Sequence, residues 1–215
     1  MLYLAPLYLC FIVYLESMNL QDKIYRDRLF EYINTITPLT LSEFEELISL
    51  VSVEYYEKNS IVLNQGAYCQ SIKFVLSGVF RNFQLYEGKE ITDYFSYSLR
   101  NPIIASFTSL LTRTPSTSSI HCIEAGEVLS IPYHSWTKLY KYRSFNTLGR
   151  ILAENNYLLA TERIASLQFH RANDRYLAFI SQYPELLNRI PHHYIASYLG
   201  ITPESMSRLR KQIRN

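Results

Sequence analysis

The sequence predicts an α+β protein in which a β-rich unit, one long helix and a small all-helical unit follow one another. Three observations predict it. From Tyr55 to Pro132, short β-forming runs are broken by turn signals at Asn64-Gln65-Gly66, Ser77-Gly78 and Glu87-Gly88-Lys89, the pattern of a sandwich or barrel. After Trp136 the apolar period becomes helical, and from Phe145 to Phe169 there is no proline and one glycine, Gly149. The chain then closes on "HHYIASYLGITPESMSRLRKQI", which has the layout of a helix-turn-helix.

The N-terminal "MLYLAPLYLCFIVYL" is apolar for fifteen residues, short of the roughly 20 that span a bilayer. It lacks the basic region and small-residue cleavage site of a signal peptide. Met18 is the expected start of the folded protein, with residues 1–17 an upstream extension. In "TLSEFEELISLV", Thr40 and Glu43 form a capping box, and Phe44, Leu47, Ile48 and Val51 make one apolar face. In "SIKFVLSGVFRNF" the residues alternate, with Ile72, Phe74 and Leu76 on one face of a strand.

The long helix carries a seam. Leu148, Leu152, Asn155 and Leu159 follow i, i+4, i+7, i+11, while Ile151 and Leu158 repeat at seven. Such a row is wide enough to bury against a second copy, with Asn155 fixing the register. A further helix in "RANDRYLAFISQY" ends before Pro184.

In the terminal unit, Ile195, Ala196 and Leu199 face inward and Ala196 allows two helices to approach closely. Gly200 permits a left-handed turn, Ile201 plugs the angle, Thr202 caps the second helix and Pro203 suits its first position. Met206, Leu209 and Ile213 anchor that helix. Glu204, Ser207, Arg208 and Lys211 share its opposite face at i, i+3, i+4, i+7. Glu can accept from cytosine N4 and Arg can pair bidentately with guanine, so Glu204, Ser207 and Arg208 are candidate base readers in a major groove. Thr202, Arg210, Lys211 and Arg214 are candidate phosphate contacts.

Charge agrees with this division. The formal total is +2, but from Leu186 onward five Lys/Arg stand against one acid, Glu204. A basic tail on a slightly acidic body suits a polyanionic partner. Cys10, Cys69 and Cys122 are scattered, with no ligand spacing for zinc or iron–sulfur clusters, and fit a reducing cytosol. No metal or cofactor is expected.

From about residue 20 to the end, the chain resembles the Crp/Fnr transcription regulators. "VLSGVFRNF" with the "EGKE" turn resembles their sensor jelly roll. "DRYLAFISQYPEL…IPHHYIASYLGITPESMSRLRK" resembles their DNA-binding end and is the more specific half. Glu204, Ser207 and Arg208 match the E-x-x-S-R pattern of the Fnr-like branch. The resemblance implies a jelly-roll sensor domain over 18–135, a dimerisation helix over 136–169 and a helix-turn-helix DNA-binding domain over 170–215. Pro203 stands where cyclic-AMP receptors have an Arg, and the family's wing strands have no counterpart before Asn215.

The sensor departs further. Cyclic-nucleotide-binding relatives carry a Gly-Glu pair for the ribose and, about ten residues on, an Arg for the phosphate. Counted back from "GEVLSIP", those places fall at Ala105, Ser106 and Ser116. An effector pocket would be bounded by Ser106, Arg113, Ser116 and Thr117, with Arg113 able to replace the phosphate partner only by a register shift. The Fnr cysteine cluster is also missing, and His121 and His134 stand singly.

The expectation is therefore a cytoplasmic, non-enzymatic regulator that binds double-stranded DNA as a homodimer without responding to cyclic AMP. Its effector is unidentified, and RNA polymerase is a candidate further partner. Two other classes share the fold: a cupin-like metal enzyme, which needs a histidine cluster on adjacent strands, and a scaffold that does not read DNA.

Overall fold

The computed structural model describes residues 20–214; the apolar extension 1–17 and Cys10 lie outside the described residues. Among the described residues two helices come first, α1 (Leu20–Asn34) and α2 (Leu41–Ser49). The expected capping box is present: the Glu43 N–H donates to Thr40 Oγ1 at 3.3 Å, and the Thr40 N–H donates to the Glu43 carboxylate at 2.8 Å.

Eight strands follow: β1 (Ser52–Tyr56), β2 (Ile61–Leu63), β3 (Ser71–Val75), β4 (Val79–Tyr86), β5 (Lys89–Ser96), β6 (Ile103–Ile104), β7 (Ser119–Glu124) and β8 (Gly126–Pro132). A short helix, α3 (Phe107–Thr112), joins β6 to β7. The strands form two antiparallel sheets, in the orders β1-β8-β3-β6 and β2-β7-β4-β5. Val75, Ile104 and Val128 from the first sheet meet Phe80, Ile120 and Cys122 from the second.

Both outer faces are covered as well, which is why strand residues of either parity are apolar. Ile72, Phe74, Leu129 and Ile131 pack under α1, α2 and the start of the long helix. Val79, Phe95, Tyr97 and Ile123 pack under the C-terminal helices. In β3 the inward parity includes Lys73, whose ammonium donates to Glu54 at 2.8 Å and to Ser130 at 2.9 Å, so this buried cation is paired.

After the roll come α4 (Tyr133–Lys138), a 3-10 turn at Leu139–Lys141, and the long helix α5 (Arg143–Phe169). The helical segment from 136 is thus broken before α5 by Tyr142, whose backbone is extended. The last helices are α6 (Ala172–Gln182), α7 (His192–Leu199) and α8 (Pro203–Arg214). Among the described residues no helix is long and apolar enough to cross a membrane.

Candidate nucleic-acid interface and sensor cavity

The turn between α7 and α8 is built from local chemistry. Gly200 adopts φ 65°, and a Cβ there would also lie 3.1 Å from Leu167. This left-handed residue lets Gly200 N–H donate to Ser197 C=O at 3.1 Å and Ile201 N–H to Ala196 C=O at 3.0 Å, a Schellman closure. The Ser205 N–H donates to Thr202 Oγ1 at 3.3 Å, so Thr202 is spent in part as the cap of α8. Ile195, Ala196, Leu199 and Met206 are buried together, with Ile201 and Leu209 packed beside them.

The opposite side of α8 is exposed. Glu204, Ser207, Arg208 and Lys211 all face solvent, while Arg210 is half-buried. The Arg208 guanidinium donates to Ser205 Oγ at 3.2 Å. Hydrogen bonds from its own backbone and from the Thr202 hydroxyl, with a smaller contribution from Arg208, hold the Glu204 carboxyl below the usual range. Glu204 therefore presents an acceptor at neutral pH. The side chain of Arg214 lies outside the described residues.

The four sensor positions separate. Ser106 and Ser116 are buried and meet, their Oγ atoms hydrogen-bonded at 2.8 Å, while Ser116 Oγ lies 2.6 Å from the accepting Ser118 C=O. Arg113 is exposed in a left-handed cap conformation at the end of α3, its guanidinium 5.0 Å from the centre of the Tyr133 ring. Thr117 is exposed and, with Ser106 and Ser118, lines a cavity of about 660 Å³. That cavity runs along β5 to α5 and α6, where Asn156, Leu159, Arg163 and Arg175 contribute to its wall.

The histidines and cysteines carry no metal constellation among the described residues. His121 accepts from Arg81 Nε at 3.0 Å through Nδ1, which requires a neutral ring. Burial, and then Arg81, push its pKa down. Burial raises the Cys122 thiol to about 11, which keeps it an inert core thiol.

The seam of the long helix divides between its own core and solvent. Leu148, at 2 % exposure, belongs to the core under α1 and α2, and Leu152 packs against that core. Leu159 is half-buried at the cavity wall and Ile151 is half-buried. Of the six seam residues, Asn155 and Leu158 are exposed. The reason is that this side of α5 covers its own roll. A second row, Ala153, Tyr157, Ala160 and Ile164, is exposed as well, with Tyr157 at 68 % and Ile164 at 55 % exposure, and its Ala160 and Ile164 border the cavity. Its spacing is also i, i+4, i+7, i+11.

The C-terminal helices α6–α8, the head, dock on the roll. Arg81 is buried, its guanidinium 3.7 Å from the Tyr194 ring centre on one side and 4.2 Å from that of Phe83 on the other. It is also ion-paired with Glu90. Phe95, Phe179, Tyr183 and Tyr198 form an aromatic cluster across the junction. Arg189 clasps Glu124 through two bonds of 3.0 and 2.9 Å.

Residues 53–143 match the family model of the cyclic nucleotide-binding domain. No curated protein matches the chain by sequence. Among solved structures, FixK2 from Bradyrhizobium japonicum superimposes with a TM-score of 0.68 at 16 % identity, over 76 % of this chain and 84 % of that one. A protein described as a transcriptional regulator of the Crp/Fnr family from Eubacterium rectale gives 0.66 at 18 %, over 82 % and 84 %. The c-di-GMP-responsive global regulator CLP from Xanthomonas campestris gives 0.63 at 17 %, over 81 % and 92 %. The chain thus carries a segment matching the cyclic nucleotide-binding domain within the fold of the Crp/Fnr regulators.

Proposed function

We propose that the protein is a sequence-specific DNA-binding transcription regulator of the Crp/Fnr type, and that it acts as a homodimer. One observation carries the reading: α8 buries Met206 against α7 while holding Glu204, Ser207, Arg208 and Lys211 together in solvent. A surface helix carries polar residues on its free face in any case, but here an acceptor, a hydroxyl and two cations are gathered at i, i+3, i+4 and i+7. That set suits base edges and phosphates in a major groove. The regulators among the structural neighbours support it by fold.

The second copy docks along Ala153, Tyr157, Ala160 and Ile164. Small residues alternate with large ones there, so two helices can approach closely and bury the tyrosine and isoleucine. Two reading heads would then meet half-sites about one helical turn apart. Selection of bound fragments from random duplex DNA tests the reading. The expected product is a palindromic or near-palindromic site. Binding that depends on length and salt alone, without sequence preference, would leave a non-reading scaffold as the better account.

A further inference from the structure

Strand β5 is the free edge of its sheet, and α7 closes it. On an edge strand, alternate residues point N–H and C=O away from the sheet with no strand to receive them. Thr92 is such a residue, and it is fully buried. Its N–H donates to Ser197 Oγ of α7 at 2.9 Å, and Ser197 passes its own proton to the Glu90 carbonyl at 2.6 Å. The Thr92 carbonyl accepts from Arg163 of α5 at 3.2 Å.

The same Arg163 Nη2 donates to the Tyr198 carbonyl of α7, and the guanidinium lies 4.3 Å from the Tyr198 ring centre. The Arg175 Nε of α6 donates to the Leu199 carbonyl at 2.9 Å. A helix leaves its last four carbonyls without helical partners. In α7 the Schellman turn takes those of Ala196 and Ser197, and the two guanidiniums take the other two. Cations also suit the negative end of the helix dipole.

The two arginines differ in what they join. Arg175 links α6 to α7 within the head, and travels with it. Arg163 joins the long helix, the sensor sheet and the head at one point, and it also lines the 660 Å³ cavity. We propose that Arg163 is the positioning residue that sets the head on its own sensor. Loss of this guanidinium removes the Thr92 and Tyr198 bonds together, because one nitrogen makes both. The head is then held by the aromatic cluster and the Arg189–Glu124 pair, and its orientation loosens.

Hydrogen exchange of the full-length protein tests this without DNA. In Arg163→Gln, segments 88–97 and 192–202 should exchange roughly tenfold faster or more, while 126–132 in the opposite sheet keeps its protection. Ser197→Ala, a small change that removes the acceptor for Thr92 N–H, should open the same two segments and decides the matter where Arg163→Gln folds poorly. Arg163→Lys keeps the charge but not the planar donor geometry, so it should resemble the glutamine variant. Unchanged exchange in Arg163→Gln, or a lysine variant indistinguishable from wild type, overturns the assignment. A second readout rests on the proposed DNA reading: Arg163→Gln should tolerate altered half-site spacing that the wild type rejects. Should the wild type bind no DNA, that reading falls, and the exchange result still decides the role of Arg163.

Discussion

Ser106 and Ser116 share one hydrogen bond, Oγ to Oγ at 2.8 Å, at the two places where the family resemblance puts a carboxylate and a guanidinium. Both hydroxyls are buried and satisfied within the roll. A cyclic phosphate brought to these two positions would lose its water and find hydroxyls in place of a guanidinium, since Arg113 lies over Tyr133 in solvent. Calorimetry with cyclic AMP and cyclic GMP should therefore show no binding at micromolar concentration. Micromolar binding of either, abolished by Arg113→Ala, would mean that α3 unwinds to deliver Arg113.

His121 makes the junction between roll and head sensitive to pH. Arg81 and Glu90 are the charged groups that face it, and the rings of Phe83 and Tyr194 enclose it. Its pKa is lowered by burial first and Arg81 second, so the folded protein binds a proton less readily than the unfolded chain. Stability is thus fully present above the unfolded value of about 6.5. It falls as pH drops below that value, and the loss levels off beneath the folded pKa. Urea midpoints between pH 8 and 5 should decline in the wild type. The decline should be shallower in His121→Gln, whose side-chain oxygen can still accept from Arg81. Equal slopes would place the titrating group elsewhere.

The turn between α7 and α8 was legible because its signals are local. Gly200 must turn left-handed, Thr202 must cap and Pro203 must follow, all within four residues. The capping box at Thr40 and Glu43 was legible for the same reason. What the sequence hid were relationships between distant residues. Nothing near Ser197 announces Thr92, and nothing near Tyr194 announces Arg81. The two rows on α5 have identical spacing, so periodicity alone could not say which one the roll would claim. The more apolar row went to the core, as the hydrophobic effect favours, and the less apolar row remained outside.

Leu148 offers a direct check on that division. Being enclosed by its own core, Leu148→Ala should cost about 2–5 kcal/mol of unfolding free energy, and sedimentation should show no change in assembly of the folded fraction. A variant that loses assembly at full stability would restore Leu148 to an interface.

Base reading and phosphate contact can be separated on α8. Arg208 is free to enter a groove from its hydrogen bond with Ser205. Arg208→Ala should cost about 1–3 kcal/mol on the selected site and relax preference at one base pair. Lys211→Ala should weaken all sequences alike and reduce the salt slope by about one ion. Equal losses from both, blind to sequence, would sink the assignment of Arg208.

The last expectation concerns assembly, and it moves with the exposed row. Tyr157 and Ile164 stand well out of the α5 surface, flanked by Ala153 and Ala160. Burying each large side chain in a partner is worth roughly 1.5–3 kcal/mol. A charge placed in that contact would be desolvated without a partner, and would face its own symmetry mate. Tyr157→Asp with Ile164→Asp should therefore give a folded monomer, with the circular dichroism of the wild type and a halved sedimentation mass. One head alone contacts half a site, so the double variant should also lose the selected operator while keeping weak, salt-dependent binding to any duplex. A double variant that stays dimeric and binds normally would show that the two copies meet elsewhere. Leu158, exposed on the neighbouring face of the same helix, would then be the next position to charge.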